Sequence, residues 1–201
     1  MDFMSKNDII YNVLRRKVKM TEKKDLSVMI DDVKFNFRVG AVLEYNGKVA
    51  IEKGDETFGV IPGGRVKALE DVKTTLIREI QEEMHFDISK KEMNLQSIIE
   101  NFFVYKEVKH HELYFVYRIL LDENDEIVNK GKDEFINYDS ECNWYDWVEI
   151  DKIDDEPILP VELKNIIKEK DFKTYIVKNI TFCDKLIKSK TENKIRKNKI
   201  K

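Results

Sequence analysis

The stretch that decides the fold is GRVKALEDVKTTLIREIQEEMHF, residues 64–86. Residues 71–85 contain neither glycine nor proline, which favours a helix over that segment. Its apolar residues recur at every fourth position and form one stripe, as is typical of a helix that packs against a core. These apolar residues are Val72, Leu76, Ile80 and Met84.

Three glutamates share a second face of this predicted helix. Glu79, Glu82 and Glu83 stand at positions i, i+3 and i+4, so their carboxylates are neighbours on the helix surface. A hard divalent cation would relieve their repulsion, and Mg²⁺ prefers carboxylates together with phosphate oxygens. Arg78 lies beside the cluster, where it can pair with Glu70 or Glu82. The competing interpretation is a solvated acidic face, because 37% of the residues are charged.

The spacing before the helix favours the cation over the solvated face. From Gly64 to Glu83 the chain matches G-x5-E-x7-R-E-U-x-E-E, where U is a large aliphatic residue, directly after Pro62-Gly63. This pattern resembles the Nudix box, the signature of the Nudix hydrolases. The resemblance extends over residues 33–168, and its downstream part resembles a bacterial subgroup whose substrate is not settled.

Two residues depart from the family pattern. His85 stands where the family has a glycine at the end of the helix, a position that commonly takes a left-handed backbone. Histidine visits that region more readily than most non-glycine residues, so we expect a small cost in stability and intact chemistry. Leu69 stands where many members have glycine, which is expected to shift the loop before Glu70.

The resemblance implies an α+β Nudix fold, a mixed α/β/α sandwich in which the box helix and a C-terminal helix pack on a mixed sheet. It implies a pyrophosphohydrolase, dependent on Mg²⁺ or Mn²⁺, that cleaves a diphosphate bond in a nucleoside diphosphate linked to another moiety. The residues carried over as metal ligands are Glu79, Glu82, Glu83 and the carbonyl of Gly63. Arg78 and Glu70 are carried over as the supporting ion pair of the catalytic glutamates.

Four further residues are predicted to bind substrate. Gly64 lets the backbone approach the diphosphate closely. Arg38 and Arg65 are candidates for phosphate binding, with a surface charge as the alternative for each. Phe58 precedes the Pro-Gly-Gly turn and is a candidate for stacking on a base, with a place in the core as the alternative.

Glu112 is the candidate general base outside the box. It follows His110-His111 at the start of a predicted strand, and an acid outside the box activates water in some Nudix enzymes. A general base must reach that water within hydrogen-bonding distance. The alternative is a solvated strand end, and Glu100 is a weaker competitor for the role.

The rest of the chain predicts one domain with two extensions. We expect an N-terminal extension over residues 1–25, the Nudix domain over 26–180 and a basic tail over 181–201. Residues rich in β-branched and aromatic side chains predict strands, and Asn46-Gly47 predicts a hairpin turn. The predicted strands cover 26–30, 33–45, 48–53, 97–105, 112–121, 143–150 and 172–180, and a second helix is predicted over 160–167.

Composition narrows the class of protein. Two cysteines without a CxxC pattern give neither a disulfide framework nor a zinc site, and no apolar run approaches the ~18 residues of a membrane span, so a cytoplasmic location is expected. The net charge is −3, yet residues 184–201 carry eight basic and two acidic residues. This tail is compatible with RNA or anionic lipid, but without interleaved aromatic residues a solvated terminus is favoured.

Three functional interpretations follow from the sequence. The leading one is an enzyme acting on a small-molecule nucleotide or nucleotide-sugar. The others are a non-catalytic Nudix-fold nucleotide sensor or RNA-binding regulator, and an unrelated α+β domain with an acidic helix. Intact glutamates in the box favour the enzyme, while dimerisation and the identity of the nucleotide are left open.

Overall fold

The structure is a computed structural model that describes residues 23–54, 56–131 and 134–178. Most of the predicted N-terminal extension and the whole basic tail lie outside the described residues. The elements, in chain order, are β1 (Ser27–Ile30), β2 (Val33–Tyr45), β3 (Lys48–Lys53), β4 (Gly63–Arg65), α1 (Val72–Met84), β5 (Asn94–Tyr105), β6 (Val108–Leu120), a 3₁₀ helix (Glu126–Asn129), β7 (Trp144–Glu149), a second 3₁₀ helix (Ile150–Asp155), α2 (Leu163–Lys168) and β8 (Lys173–Lys178).

The strands form one mixed sheet around β2. Its order is β7-β3-β2-β6-β5-β8, and β1 and β4 pair with β2 outside this path. β2 runs parallel to β6, and β5 runs parallel to β8, whereas the remaining neighbours are antiparallel. The predicted hairpin joins β2 to β3, with positive φ at Asn46 and Gly47. Because three strands pair in turn along one side of β2, this strand is the axis of the fold.

The two helices cover opposite faces of the sheet. Alternate residues of β2 point to opposite faces, as the period of a strand requires. Leu43 belongs to the buried cluster that contains α1, and Val42 belongs to the buried cluster that contains α2. The predicted α/β/α sandwich is therefore confirmed.

Several boundaries differ from the prediction. Gly63 and Gly64, predicted as the end of a turn over residues 61–64, form the short strand β4 with Arg65, because their backbone pairs with β2 even though both lack side chains. β5 begins at Asn94 rather than Ser97, and α2 begins at Leu163 after a turn rather than at Pro160. β8 spans Lys173–Lys178. No helix of the described residues is long and apolar enough to cross a membrane.

The two departures from the family pattern have a common conformation. His85 ends α1 with φ 52° and ψ 38°, the left-handed conformation that the sequence predicted. Leu69 has φ 63° in the loop before the helix, and its side chain is almost fully exposed. Glycine would adopt both conformations without steric cost, so each residue carries a small backbone strain.

A buried arginine attaches α2 to the sheet. Arg118 of β6 donates hydrogen bonds through Nη2 to the carbonyl oxygens of Ile166 (2.9 Å) and Ile167 (2.8 Å), which would otherwise lack partners at the end of α2. Its Nη1 pairs with Glu44, a half-buried carboxylate of β2. Lys170 reaches the same carboxylate from the surface, at 3.8 Å.

Replacement of this arginine is expected to destabilise the fold. Arg118→Met leaves the Glu44 carboxylate and the helix carbonyls without their main donor, so the free energy of unfolding should fall by about 3–5 kcal/mol. Urea unfolding followed by circular dichroism measures it. Lys170→Met is the control, because loss of an exposed partner of the same carboxylate should cost under about 1 kcal/mol. Equal losses in the two variants would contradict this role.

Candidate active site

Helix α1 presents its glutamates from capped ends. At its start, the Asp71 carboxylate accepts hydrogen bonds from the backbone N–H groups of Lys73 and Thr74, both at 3.0 Å. At its end, Lys130 donates to the carbonyl oxygen of Met84 at 3.0 Å, a favourable place for a cation. The rigid helix therefore holds the three box glutamates at defined positions.

Arg78 is the cation among the acidic side chains of the box. Its Nη2 lies 3.0 Å from Oε2 of Glu70. Its Nη1 donates to Glu79 at 2.7 Å and to Glu82 at 2.9 Å. A further bond reaches the carbonyl oxygen of Arg65 at 3.2 Å, so the guanidinium ties the helix to the loop and to β4. The structure thus brings together the two members of the supporting pair predicted from the box.

Two glycines bring the backbone of β4 against the helix. Gly63 has φ +140°, and a Cβ there would lie 2.3 Å from the carbonyl oxygen of Val39. A Cβ on Gly64 would lie 2.2 Å from the Cδ of Glu79. Gly63 therefore requires glycine, because a Cβ there would clash with the backbone of β2, whereas a side chain at Gly64 would displace the Glu79 carboxylate from its place against the backbone.

Glu83 occupies the least solvated position of the three box glutamates. Its carboxylate accepts hydrogen bonds from the Gly63 N–H and from the Tyr145 hydroxyl, the latter at 3.2 Å. Burial, together with the negative charges of Glu52 and Glu79, raises the pKa of Glu83 to about 8. Burial also raises the pKa of Glu79, although Arg78 opposes that effect.

Sequence reasoning missed Glu52 and Tyr145. Glu52 of β3 is buried, and its Oε1 accepts hydrogen bonds from Asn137 (2.9 Å) and Asn143 (2.6 Å). Asn137 also donates to the Tyr145 hydroxyl at 3.1 Å, which links this group to Glu83. The available signal was an acid directly after the apolar run VAI, residues 49–51, within a predicted strand.

The donor set fits a divalent cation in its chemistry. Burial and the negative charges of Glu52 and Glu79 disfavour the charged form of Glu83, and carboxylates are the hard oxygen donors that Mg²⁺ prefers. Arg78 neutralises one charge of this group and leaves the others for a cation. Among the described residues, no three His, Cys, Asp or Glu side chains form a ready-made metal cluster. A bound ion would therefore have to draw the glutamates of α1 away from Arg78.

One cavity of about 640 Å³ opens on the sheet face opposite the core of α1. Three of the predicted substrate-binding residues line it, Arg38, Arg65 and Phe58, together with Glu112, the predicted general base. The box glutamates do not line it, and neither does Gly64. The structure thus separates the predicted site residues into the box glutamates on α1 and a cavity in the sheet.

Arg38 lies between the two parts. Its Nη1 is 3.9 Å from Oε2 of Glu112 on the floor of the cavity. Burial is the largest single effect on the pKa of Arg38 and lowers it. The charges of Glu112, Glu83 and Glu52 together outweigh burial, so the pKa is raised. Gly40, two residues on, leaves room for the hydroxyl of Tyr114, since a Cβ there would lie 2.2 Å from it. Acidic side chains thus lie on both sides of the Arg38 guanidinium. It can donate hydrogen bonds to an anion that extends from the cavity to the box glutamates.

The raised pKa of Glu83 predicts how the stability of the metal-free protein depends on pH. The pKa of Glu83 is near 4.5 in the unfolded chain, so the folded protein binds the proton on this carboxyl group more tightly than the unfolded chain does. The contribution of this proton to the free energy of unfolding is fully present below about pH 4.5 and is lost as pH rises through about 8. Because a tenfold change in proton affinity is worth about 1.4 kcal/mol, Glu83→Gln should gain on the order of a few kcal/mol over the wild type across this range.

Urea unfolding in EDTA at pH 5 to 9 measures this difference. Glu82→Gln is the control, because the Glu82 side chain is 42% exposed. In this variant the free energy of unfolding should fall with rising pH as it does in the wild type. Parallel pH profiles of the wild type and Glu83→Gln would show that Glu83 does not titrate in this range.

Comparison with known proteins agrees with this geometry. A family model for the NUDIX domain matches residues 36–168. Among solved structures, the chain is similar to a mutator MutT protein from Bacillus halodurans, with 16% identity, 70% of this chain and 89% of that chain covered, and a TM-score of 0.54. A MutT NUDIX hydrolase from Burkholderia pseudomallei is similar at 18% identity, with 68% and 97% covered and a TM-score of 0.49. No curated protein sequence matches the chain significantly.

The matched residues run from Asn36 in β2 to Lys168 in α2. They contain α1 with its glutamates, the Gly63-Gly64 pair and the cavity in the sheet. The chain therefore belongs to the NUDIX domain family, and the predicted enzyme class, a hydrolase acting on phosphorus-containing acid anhydrides, is confirmed.

Proposed function

We propose that the protein is a Mg²⁺- or Mn²⁺-dependent pyrophosphohydrolase that cleaves the diphosphate of a nucleoside diphosphate linked to another moiety. The observation that carries this proposal is the position of Arg38 between the carboxylates around Glu83 and a cavity large enough for a nucleoside. A diphosphate that joins a nucleoside in the cavity to a cation at the box would pass this guanidinium.

The box residues would hold the cation. Glu79 and Glu83, with Glu82 and the carbonyl of Gly63, supply hard oxygen ligands at the surface of α1. A bound Mg²⁺ or Mn²⁺ would neutralise phosphate charge, polarise the phosphoryl group and lower the pKa of the attacking water. Nudix hydrolases generally require a divalent ion, and the acidic chemistry of this donor set supports the same need here.

The remaining residues would bind and orient the substrate. Arg38 and Arg65 line the cavity, and each can donate to phosphate oxygens. The Arg65 side chain is half exposed and lies 3.7 Å from Asp25. Arg78 and Glu70 would keep the glutamate-bearing helix in register with β4, because the guanidinium bonds both the loop and the backbone of that strand.

The position of Glu112 fits substrate binding better than the predicted role of general base. It is almost fully buried on the floor of the cavity, which excludes the alternative of a solvated strand end. No box carboxylate lines that cavity. Water activated at the box would lie near Glu79 and Glu83 of α1, whereas Glu112 lies on the cavity floor.

A hydrolysis screen tests the proposed function. The substrates are nucleoside triphosphates, ADP-ribose, dinucleoside polyphosphates and capped RNA, each with Mg²⁺ or Mn²⁺, and release of phosphate or nucleotide is measured. Glu83→Gln should lower kcat by about 100- to 1,000-fold, because it removes a charge from a preorganised electrostatic site. Glu149→Gln is the matched control and should keep the wild-type kcat, since Glu149 is a surface carboxylate of β7 that pairs with Lys152.

Two outcomes would contradict the proposal. If Glu83→Gln retained wild-type turnover of every accepted substrate, the assignment of the box glutamates would fail. If nucleotides bound but none was cleaved with either metal, the non-catalytic sensor would be the better interpretation. Contact of the basic tail with nucleic acid and assembly into a homodimer are separate questions, which gel filtration with and without RNA addresses.

A further inference from the structure

The floor of the cavity is a row of three polar side chains from three neighbouring strands. Strand register places Asn36 of β2 opposite Glu112 of β6, and Glu112 opposite Asn101 of β5. Their exposed fractions are 3%, 5% and 5%, and all three line the cavity. A buried polar row in the middle of a sheet is costly unless its groups find partners.

Asn36 has its partners within the protein. Its Oδ1 accepts a hydrogen bond from the Ser27 hydroxyl at 2.7 Å. Its Nδ2 lies 3.1 Å from Nδ1 of His110. This amide therefore supports the row and fixes the His110 ring.

Glu112 and Asn101 lack such partners. Among the described residues, the Glu112 carboxylate makes the 3.9 Å contact to Arg38 and no hydrogen bond, while the Oδ1 atom of Asn101 is buried without a hydrogen-bond partner. Buried polar groups are nearly always hydrogen-bonded, and a carboxylate can only accept. The floor of the cavity therefore calls for a ligand that carries hydrogen-bond donors.

The walls beside this floor are aromatic. His110 stacks on Phe103 with ring centroids 4.7 Å apart and an interplanar angle of 11°. Tyr105 contacts the edge of His110, and Phe58 lines the same cavity from another segment. Aromatic walls around a polar floor suit a flat heteroaromatic ring that stacks on one side and donates hydrogen bonds at its edge.

We propose that Glu112 and Asn101 read the edge of a nucleobase that carries a ring N–H next to an amino group, as guanine does. This proposal rests on the proposed function and deepens it, because it names the base of the substrate. The two oxygens of Glu112 accept from the ring N–H and the amino group, and Asn101 completes the contact with its amide. Glu112 is then a specificity-determining residue rather than a general base.

The choice of guanine follows from the acceptor-only character of the carboxylate. The corresponding edge of adenine places an amino group beside a ring nitrogen that is itself an acceptor, so a carboxylate there would meet a lone pair. Hypoxanthine keeps the ring N–H but lacks the amino group and loses one of the two bonds. A site built to bond a donor rejects an analogue that lacks it, because its own buried groups are then left unpaired.

Binding of nucleoside monophosphates to the full chain tests this without any need for turnover. Dissociation constants of GMP, IMP, AMP and dGMP are measured by calorimetry in the absence of metal. We expect GMP to bind about 10- to 100-fold more tightly than IMP or AMP, the range for a hydrogen bond to a charged group. dGMP should bind as tightly as GMP, because the proposed contacts are to the base.

Variants assign the preference to the residues. Glu112→Gln should bring the ratio of GMP affinity to IMP affinity close to one. Asn101→Leu should lower this ratio as well. Thermal unfolding checks that each variant folds. Glu149→Gln is the matched control, because Glu149 is a surface acid of β7 that does not line the cavity, and it should keep the wild-type ratio of GMP affinity to IMP affinity.

Several results would overturn the inference. Equal affinity for GMP and IMP in the wild type would do so, as would an unchanged ratio in Glu112→Gln. Weak binding of dGMP would instead indicate that the row reads the ribose. If Glu112→Gln lowered kcat equally for all substrates and left binding unchanged, Glu112 would be the general base.

The binding and turnover assays separate this inference from the proposed function. GMP preference without hydrolysis under either metal would overturn the enzyme proposal alone. Hydrolysis without a preference for guanine would overturn the base-reading role alone.

Discussion

Repulsion among carboxylates is the constraint on which this structure depends. Burial disfavours the charged form of Glu83, and the negative charges of Glu52 and Glu79 add to that effect. Such a group persists because the surrounding fold holds it in place. Capped ends of α1 and the Arg78 contacts overcome the repulsion locally, at a cost in stability that a site for a cation would recover on binding.

The same constraint explains the glycines and the buried hydroxyl. Gly64 leaves space for the Glu79 carboxylate beside the backbone of β4, and Gly63 lets that strand pack closely against β2. Tyr145 donates its hydroxyl to Glu83 from the opposite side, while the amide of Asn137 connects it to Glu52. These contacts together hold the carboxylate oxygens of α1 beside the backbone of β4.

The sheet connects this edge to the cavity through alternation along β2. Val39 points to the core under α1, whereas the neighbouring Arg38 points into the cavity on the other face. The parallel register with β6 then places Asn36 opposite Glu112 and Arg38 opposite Tyr114 on the cavity side. A shift of one residue in this register would exchange the two faces and remove both the floor of the cavity and its contact with Arg38.

The sequence by itself determined the box helix, its apolar stripe and its acidic face, because these depend on residues within a few turns of one another. It also determined the hairpin at Asn46-Gly47 and the left-handed end at His85, whose causes are local backbone preferences. The strand at Gly63–Arg65 was missed because it forms through pairing with β2 rather than through its own side chains. Only the tertiary structure decided that Glu52 and Tyr145 meet Glu83 and that Glu112 lies beside Asn101, since those contacts join distant segments whose register no local pattern records.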